Sequence, residues 1–123
     1  MIDTHAHINH EKLTNVFGDI IKSLDAGKLE AIICPSYNKA SSFSSFELSQ
    51  KYQKVFSALA VHPSETLDFD DEFEKFLNAN LQNKKVVALG EYGLDYHFTP
   101  YDKQKQQEVF LKQLNIAKNN QIV

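Results

Sequence analysis

The chain has 123 residues, of which 42% are apolar and 24% charged, with a net charge of −3 and a sequence pI of about 5.9. That length suits one domain, and that balance suits a soluble globular protein. It excludes the basic footprint of a protein that holds nucleic acid by surface charge, so a phosphate-ester substrate would need another source of positive charge, of which bound metal ions are the obvious one.

The elements alternate. Residues 1–8 read as a short strand leading into a polar end. Leu13, Val16, Phe17, Ile20, Ile21 and Leu24 then recur on one helical face, which Asp25-Ala26-Gly27 closes with a glycine. Residues 29–34 form a second apolar run, stopped by Pro35. A weaker helix is predicted over 39–52, with Phe43 and Phe46 as its clearest apolar pair and the run Ser41-Ser42-Phe43-Ser44-Ser45 near its start. Residues 55–61 make a third strand, ended by His62-Pro63. Phe69, Phe73, Phe76, Leu77 and Leu81 mark a third helix, and residues 86–91 a fourth strand. A fourth helix is expected over 102–119, with Phe110, Leu114 and Ala117 inward. Gln121-Ile122-Val123 reads as the beginning of a fifth strand.

Near-continuous apolar strands alternating with helices argue for a parallel sheet covered by helices. Two α/β architectures fit: a complete doubly wound open sheet, or about half of an eight-stranded barrel. An ending inside an apolar run favours the barrel, with residues 1–123 as the first half of one domain. The lone Cys34 lies in such a run and reads as a small buried hydrophobe; it excludes an intrachain disulfide. The start has neither a basic n-region nor an apolar h-region, and no run approaches the roughly 20 residues needed to span a bilayer. A cytoplasmic protein without membrane contact is the expectation.

The five histidines are His5, His7, His10, His62 and His97. His5, His7 and His62 fall at predicted C-terminal strand ends, and His10 and His97 in loops just beyond such ends. That edge is where parallel α/β folds bind ligands. In an extended chain the imidazoles of His5-Ala6-His7 share one face and can reach a single metal ion. Asp3 shares that face and could orient a ligand histidine. Glu91, between Gly90 and Gly93, could join the metal shell, bridge two ions or take a proton from water. The glycines suit close backbone approach or unusual dihedrals. His62 could meet substrate or metal, or be a structural histidine fixed by Pro63. Asp95 could bond within its loop, cap a short helix or approach the site. Tyr92 and Tyr96 read as packing residues. No G-x-x-x-x-G-K, G-x-G-x-x-G or G-x-S-x-G occurs, so metal-assisted hydrolysis is the best-supported chemistry by elimination.

The stretches Ile2-Asp3-Thr4-His5-Ala6-His7-Ile8, Ala60-Val61-His62-Pro63 and Ala88-Leu89-Gly90-Glu91-Tyr92-Gly93-Leu94-Asp95-Tyr96 together resemble the TatD family of metal-dependent deoxyribonucleases. The helix with Gln106, Phe110, Gln113, Leu114 and Ala117 is a fourth match. The resemblance covers this whole chain and about the first half of the family's barrel. It implies a TIM-type barrel with two divalent ions (Mg, Mn or Zn), His5 and His7 ligating one and Glu91 bridging both. It implies DNA as substrate, cleaved by metal-activated water, with Glu91 and His62 as candidate catalytic residues. Two further histidines and an aspartate of the family's site belong to later strands, so this chain is expected to carry part of the site. Ala6 and Ala60 stand where many relatives have Cys and Gly. Two other functions fit the same residues. One is a non-catalytic half-barrel that self-associates or pairs with a missing half. The other is a metal-dependent esterase acting on aminoacyl-tRNA or another phosphoester.

Overall fold

The computed structural model describes residues 1–123. Four strands form one parallel sheet in the order β1 (Ile2–Asp3), β2 (Ala31–Pro35), β3 (Val55–Ala58), β4 (Val86–Ala88). They alternate with α1 (Phe17–Asp25), α2 (Lys39–Lys51), α3 (Asp71–Asn80) and α4 (Lys103–Asn120), and 3-10 turns precede α1 at Glu11–Leu13 and α3 at Pro63–Asp68.

Strand order follows chain order without reversal, which separates the two architectures left open by the sequence. Register pairs Ile32 with Val55, Cys34 with Ser57, and Ser57 with Val86. These residues share one face, and all are buried. Ile32, Cys34 and Val55 pack with Leu24, Ile20 and Phe17 of α1 and Leu48 of α2; Val86 packs with Phe73 and Leu77 of α3 and Val109 and Ile116 of α4. One face of the sheet thus carries every helix. The opposite face, with Ile33, Phe56 and Val87, is only half-covered. That is an arc of a (β/α) barrel, not a doubly wound sheet. Where a fifth strand would lie, the Val123 carbonyl accepts from the Leu89 N–H at 2.7 Å.

The strands are shorter than their apolar runs. The ladder of β1 ends at Asp3, that of β3 at Ala58 and that of β4 at Ala88. Beyond β3 the buried Leu59 still bonds the backbone of Ala88 and Gly90, whereas Ala60 and Val61 bond to the side chains of Ser36 and Gln113. Helix α1 closes as expected: Gly27 takes φ +73°, its N–H donates to Leu24 O, and the Lys28 N–H donates to Ser23 O at 3.0 Å. This left-handed end satisfies two orphan carbonyls. Asn38, Asp70 and Asp102 cap α2, α3 and α4 by accepting from the backbone N–H groups of Ser41, Phe73 and Lys105.

Two helices bury faces that the apolar pattern does not show. Helix α2 turns serines, not its phenylalanines, to the sheet. Ser42, Ser45 and Ser49 are fully buried, and Ser45 Oγ donates to Cys34 O at 2.6 Å. Phe43 and Phe46 lie on its flank instead, edge-on to Phe76 of α3 at 4.6 and 5.6 Å. Helix α4 turns Gln106, Val109, Gln113, Ile116 and Ala117 inward, so Leu114, expected inside, is exposed. The cause is the chemistry of the two glutamines. Gln113 accepts from the Val61 N–H at 2.8 Å and donates to the Val61 carbonyl at 3.0 Å. Gln106 does the same to Asp95, at 2.8 and 2.7 Å. Seven residues apart, the two amides share a helix face and serve as one-residue strand partners for two loops. At the opposite sheet edge the Lys85 ammonium donates to the carbonyls of Tyr52, Gln53 and Val55 and lies 4.6 Å from the Phe56 ring centroid.

Replacing Gln113 by Leu keeps volume but strands both Val61 backbone groups. We expect a loss of about 2–4 kcal/mol in urea unfolding, because each buried unpaired group costs about 1–3 kcal/mol; an unchanged midpoint would show that water replaces the amide.

Candidate metal centre

His5 and His7 lie past the end of β1, where the Ala6 N–H donates to Ile33 O at 3.1 Å and keeps the segment alongside β2. This leaves the flanking imidazoles on one side, as the i, i+2 spacing requires. Glu91 follows β4; its N–H donates to Ser36 O at 2.7 Å, drawing the β4 loop against the end of β2. The Gly90–Glu91 peptide bond is cis. Neither Gly90 nor Gly93 has a positive φ, and a Cβ at either would meet nothing within 4 Å, so the close approach expected of these glycines is not found.

The three side chains converge. His5 Nε2 is 2.8 Å and His7 Nε2 3.2 Å from the same Glu91 oxygen, Oε1. The two imidazoles meet edge-on with centroids 5.1 Å apart. Histidine tautomerism fixes the character of the cluster. His7 Nδ1 lies 3.1 Å from the Pro35 carbonyl, which can only accept, so Nδ1 carries the proton and Nε2 presents a lone pair. That lone pair faces a carboxylate oxygen that is sealed from solvent and has no hydrogen-bond partner. Electron-pair donors packed this closely call for positive charge among them. An ion holding nitrogen and oxygen at about 2.0–2.2 Å separates tetrahedral ligands by about 3.4 Å, close to the 2.8 and 3.2 Å between the two imidazoles and the carboxylate oxygen. The donor set fits a divalent ion of the Zn or Mn type. His5, His7 and Glu91 are also the one group of His, Cys, Asp and Glu whose donor atoms all lie within 4.8 Å of one another.

Other sequence candidates stand apart from this group. Asp3 Oδ1 accepts from the His5 backbone N–H at 3.0 Å, not from an imidazole, so it shapes the chain turn rather than the ring. His62 Nδ1 accepts from the Ser64 N–H at 3.2 Å and bonds Ser64 Oγ at 2.9 Å, capping the Pro63–Asp68 turn. The His62 backbone N–H donates to Tyr37 O, and the Tyr37 ring lies edge-on to His7 with centroids 5.8 Å apart. His62 is therefore tied to the wall of the site and is not one of the convergent donors. Asp95 caps its own loop by accepting from the His97 N–H. His10 caps the Glu11–Leu13 turn. Cys34 is fully buried, its Sγ 3.3 Å from Asn9 Oδ1, and burial raises its pKa.

The sequence reading missed Pro35, Ser36 and Tyr37, which end β2 and follow it. Pro35 orients His7, Ser36 anchors Glu91 and Tyr37 flanks His7. The signal available was position: they occupy the C-terminal end of a strand next to the one carrying His5 and His7.

Comparison with known proteins agrees with this geometry. The family model described as TatD related DNase matches residues 2–123. The chain belongs to the TatD family. A protein of Bacillus subtilis (strain 168) named as an uncharacterized metal-dependent hydrolase, YabD, is 32% identical over 118 residues, covering 96% of this chain and 46% of that protein. The 3'-5' ssDNA/RNA exonuclease TatD of Citrobacter koseri is 26% identical over 117 residues, covering 95% and 45%. The crystal structure of YjjV, a TatD homologue from Escherichia coli K12, superposes with a TM-score of 0.84 at 27% identity, covering 99% of this chain and 48% of that one. The chain thus spans about half the length of the TatD relatives it matches, and the likeness carries the barrel architecture inferred from strand order.

We expect Zn or Mn to bind this chain in titration calorimetry, with His7→Ala or Glu91→Gln weakening binding at least about tenfold, as loss of a ligand does in sites of this kind. Equal affinity in wild type and both variants would place the ion elsewhere.

Proposed function

We propose that this chain builds the first part of the metal centre of a TatD-type nuclease that cleaves phosphodiester bonds in DNA, and that residues 1–123 form the first half of its barrel. The observation that carries this reading is the meeting of His5, His7 and Glu91 around one solvent-sealed oxygen. The name of the Citrobacter koseri relative, a 3'-5' ssDNA/RNA exonuclease, supports a single-stranded substrate, and that of "Deoxyribonuclease Tat-D" of Schizosaccharomyces pombe, 32% identical over 125 residues, supports DNA.

Bound divalent ions would supply Lewis acidity to the phosphodiester and lower the pKa of the attacking water. His5 and His7 hold the ligand face, with His7 locked in its Nδ1–H form by the Pro35 carbonyl. Glu91 offers Oε1 to that face, which leaves its second oxygen for taking a proton from water. His62, with Nδ1 engaged by Ser64, has Nε2 as its remaining proton-bearing atom in the neutral ring, suited to donating to a phosphate oxygen at the site wall.

A second reading, association through the open sheet, is favoured by the half-covered face bearing Ile33, Phe56 and Val87 and by the free edge of β1. It is compatible with the first, because a second copy or the rest of a barrel would cover the same surface.

A barrel that joins this chain to the remaining strands should release nucleotides from single-stranded DNA only with a divalent ion, and Glu91→Gln should lower the rate at least about a hundredfold, the scale on which a positioned general base acts. Ion-independent release, or full activity in Glu91→Gln, would remove the reading.

A further inference from the structure

The loop between β4 and α4 carries more aromatic surface than packing uses. Phe98 is 74% exposed and Tyr101 43%. Tyr96 lies against Tyr101 with centroids 5.3 Å apart and planes tilted by 34°, and His97 meets Phe98 edge-on at 4.6 Å. The Lys103 ammonium sits 5.4 Å from the Tyr96 ring centroid. The Tyr96 hydroxyl, sealed from solvent, has no hydrogen-bond partner. Between this loop and the Pro63–Asp68 turn runs a cleft of about 460 Å³ lined by Phe98, Tyr101, Leu67, Ser64, Thr66 and Lys105. Its size lies in the range of small-ligand sites.

The cleft is tied to the candidate metal centre from both sides. One wall begins at Pro63, directly after His62, and the other includes Asp95, four residues after Glu91. Four residues of chain span at most about 14 Å, so this wall lies within reach of a short oligonucleotide held at Glu91. Gln106 fixes the Asp95 backbone, which gives the loop a rigid base. Both carboxylates of the cleft are engaged by backbone N–H groups, Asp95 by His97 and Asp102 by Lys105, while Lys103 and Lys105 bring cationic charge to the start of α4, the Lys105 ammonium lying 3.4 Å from the exposed Glu108 carboxylate.

We propose that this cleft is a nucleobase subsite, in which one or two bases of a single-stranded nucleic acid stack on Phe98 and Tyr101 while Lys103 and Lys105 meet the flanking phosphates. Flat, exposed rings beside lysines suit sequence-tolerant binding of unpaired bases, because every base offers a π-face and every linkage a charge. The inference rests on the nuclease reading and deepens it: stacking selects unpaired strands, and a duplex keeps its bases inside.

The test is binding in EDTA, which separates stacking from metal chemistry. The chain has no tryptophan, so Phe98→Trp introduces a single fluorescent reporter. We expect the emission of that variant to be quenched by an oligo(dT) strand and not by an abasic strand of equal length. The wild-type chain should bind oligo(dT) more tightly than the abasic strand, each aromatic accounting for about fivefold to a hundredfold, and Phe98→Ala with Tyr101→Ala should abolish that preference. Equal affinity for the two strands, no binding of either, or an undiminished preference in the double variant would overturn the proposal. Base-dependent binding by the chain, with no cleavage by the completed barrel, would leave the subsite standing and remove the nuclease reading; ion-dependent cleavage by the barrel without base-dependent binding would do the reverse.

Discussion

Everything at the candidate centre depends on how the strand ends are held once the ladder stops. Its residues all lie past the last paired positions: His5 and His7 beyond Asp3, His62 beyond Ala58, Glu91 beyond Ala88. Parallel strands twist apart there, and their N–H and C=O groups need other partners. Ser36 supplies several at once. It is fully buried; its carbonyl takes the Glu91 N–H, its N–H and hydroxyl both reach the Ala58 carbonyl, and its Oγ accepts from the Ala60 N–H at 3.0 Å. One small side chain thereby joins β2, the extension of β3 and the loop after β4. Gln113 extends the same logic by one residue, holding Val61 immediately before His62.

The residues that converge at the candidate centre were legible in the sequence, and the means of holding them were not. The His5/His7 pair shows because two-residue periodicity survives in any extended chain, even where the strand itself is only Ile2–Asp3. Glu91 shows because it ends an apolar run. The helices α1 and α3 show because their buried faces are hydrocarbon. Helix α2 reads as weak because its buried face is serine: Ser42, Ser45 and Ser49 let the helix lie close to the sheet, the first two donating to the carbonyls of Ala60 and Cys34 and Ser49 to Phe46 within the helix. The inward face of α4 is misread for the same reason. A glutamine paired to a backbone is as buried as a leucine, and no hydropathy scale separates it from a surface glutamine. Strand lengths are overestimated because burial outlasts strand pairing, as Ala60 and Val61 illustrate.

Architecture was decided by connectivity rather than composition. An open sheet and a barrel arc share the same alternation of elements. What separates them is the side on which successive helices land, and in this chain all four pack against the face that bears Ile32, Cys34, Val55 and Val86. The other face is left to a layer that an arc of four strands cannot provide, which is consistent with a chain spanning about half the length of its relatives.

The two edges of the sheet gather electron-rich groups in opposite ways. At the edge away from the histidines, the carbonyls of Tyr52, Gln53 and Val55 converge on the Lys85 ammonium, a cation covalently part of the chain. At the other edge, imidazole nitrogens and a carboxylate oxygen converge with no side-chain cation among them. One pole of the fold is therefore self-sufficient in charge, and the other is a debtor to its surroundings. Order at the first pole is set by folding alone. Convergence at the second is left to a cation from outside the chain, so the two ends of one sheet differ in where their neutralising charge comes from.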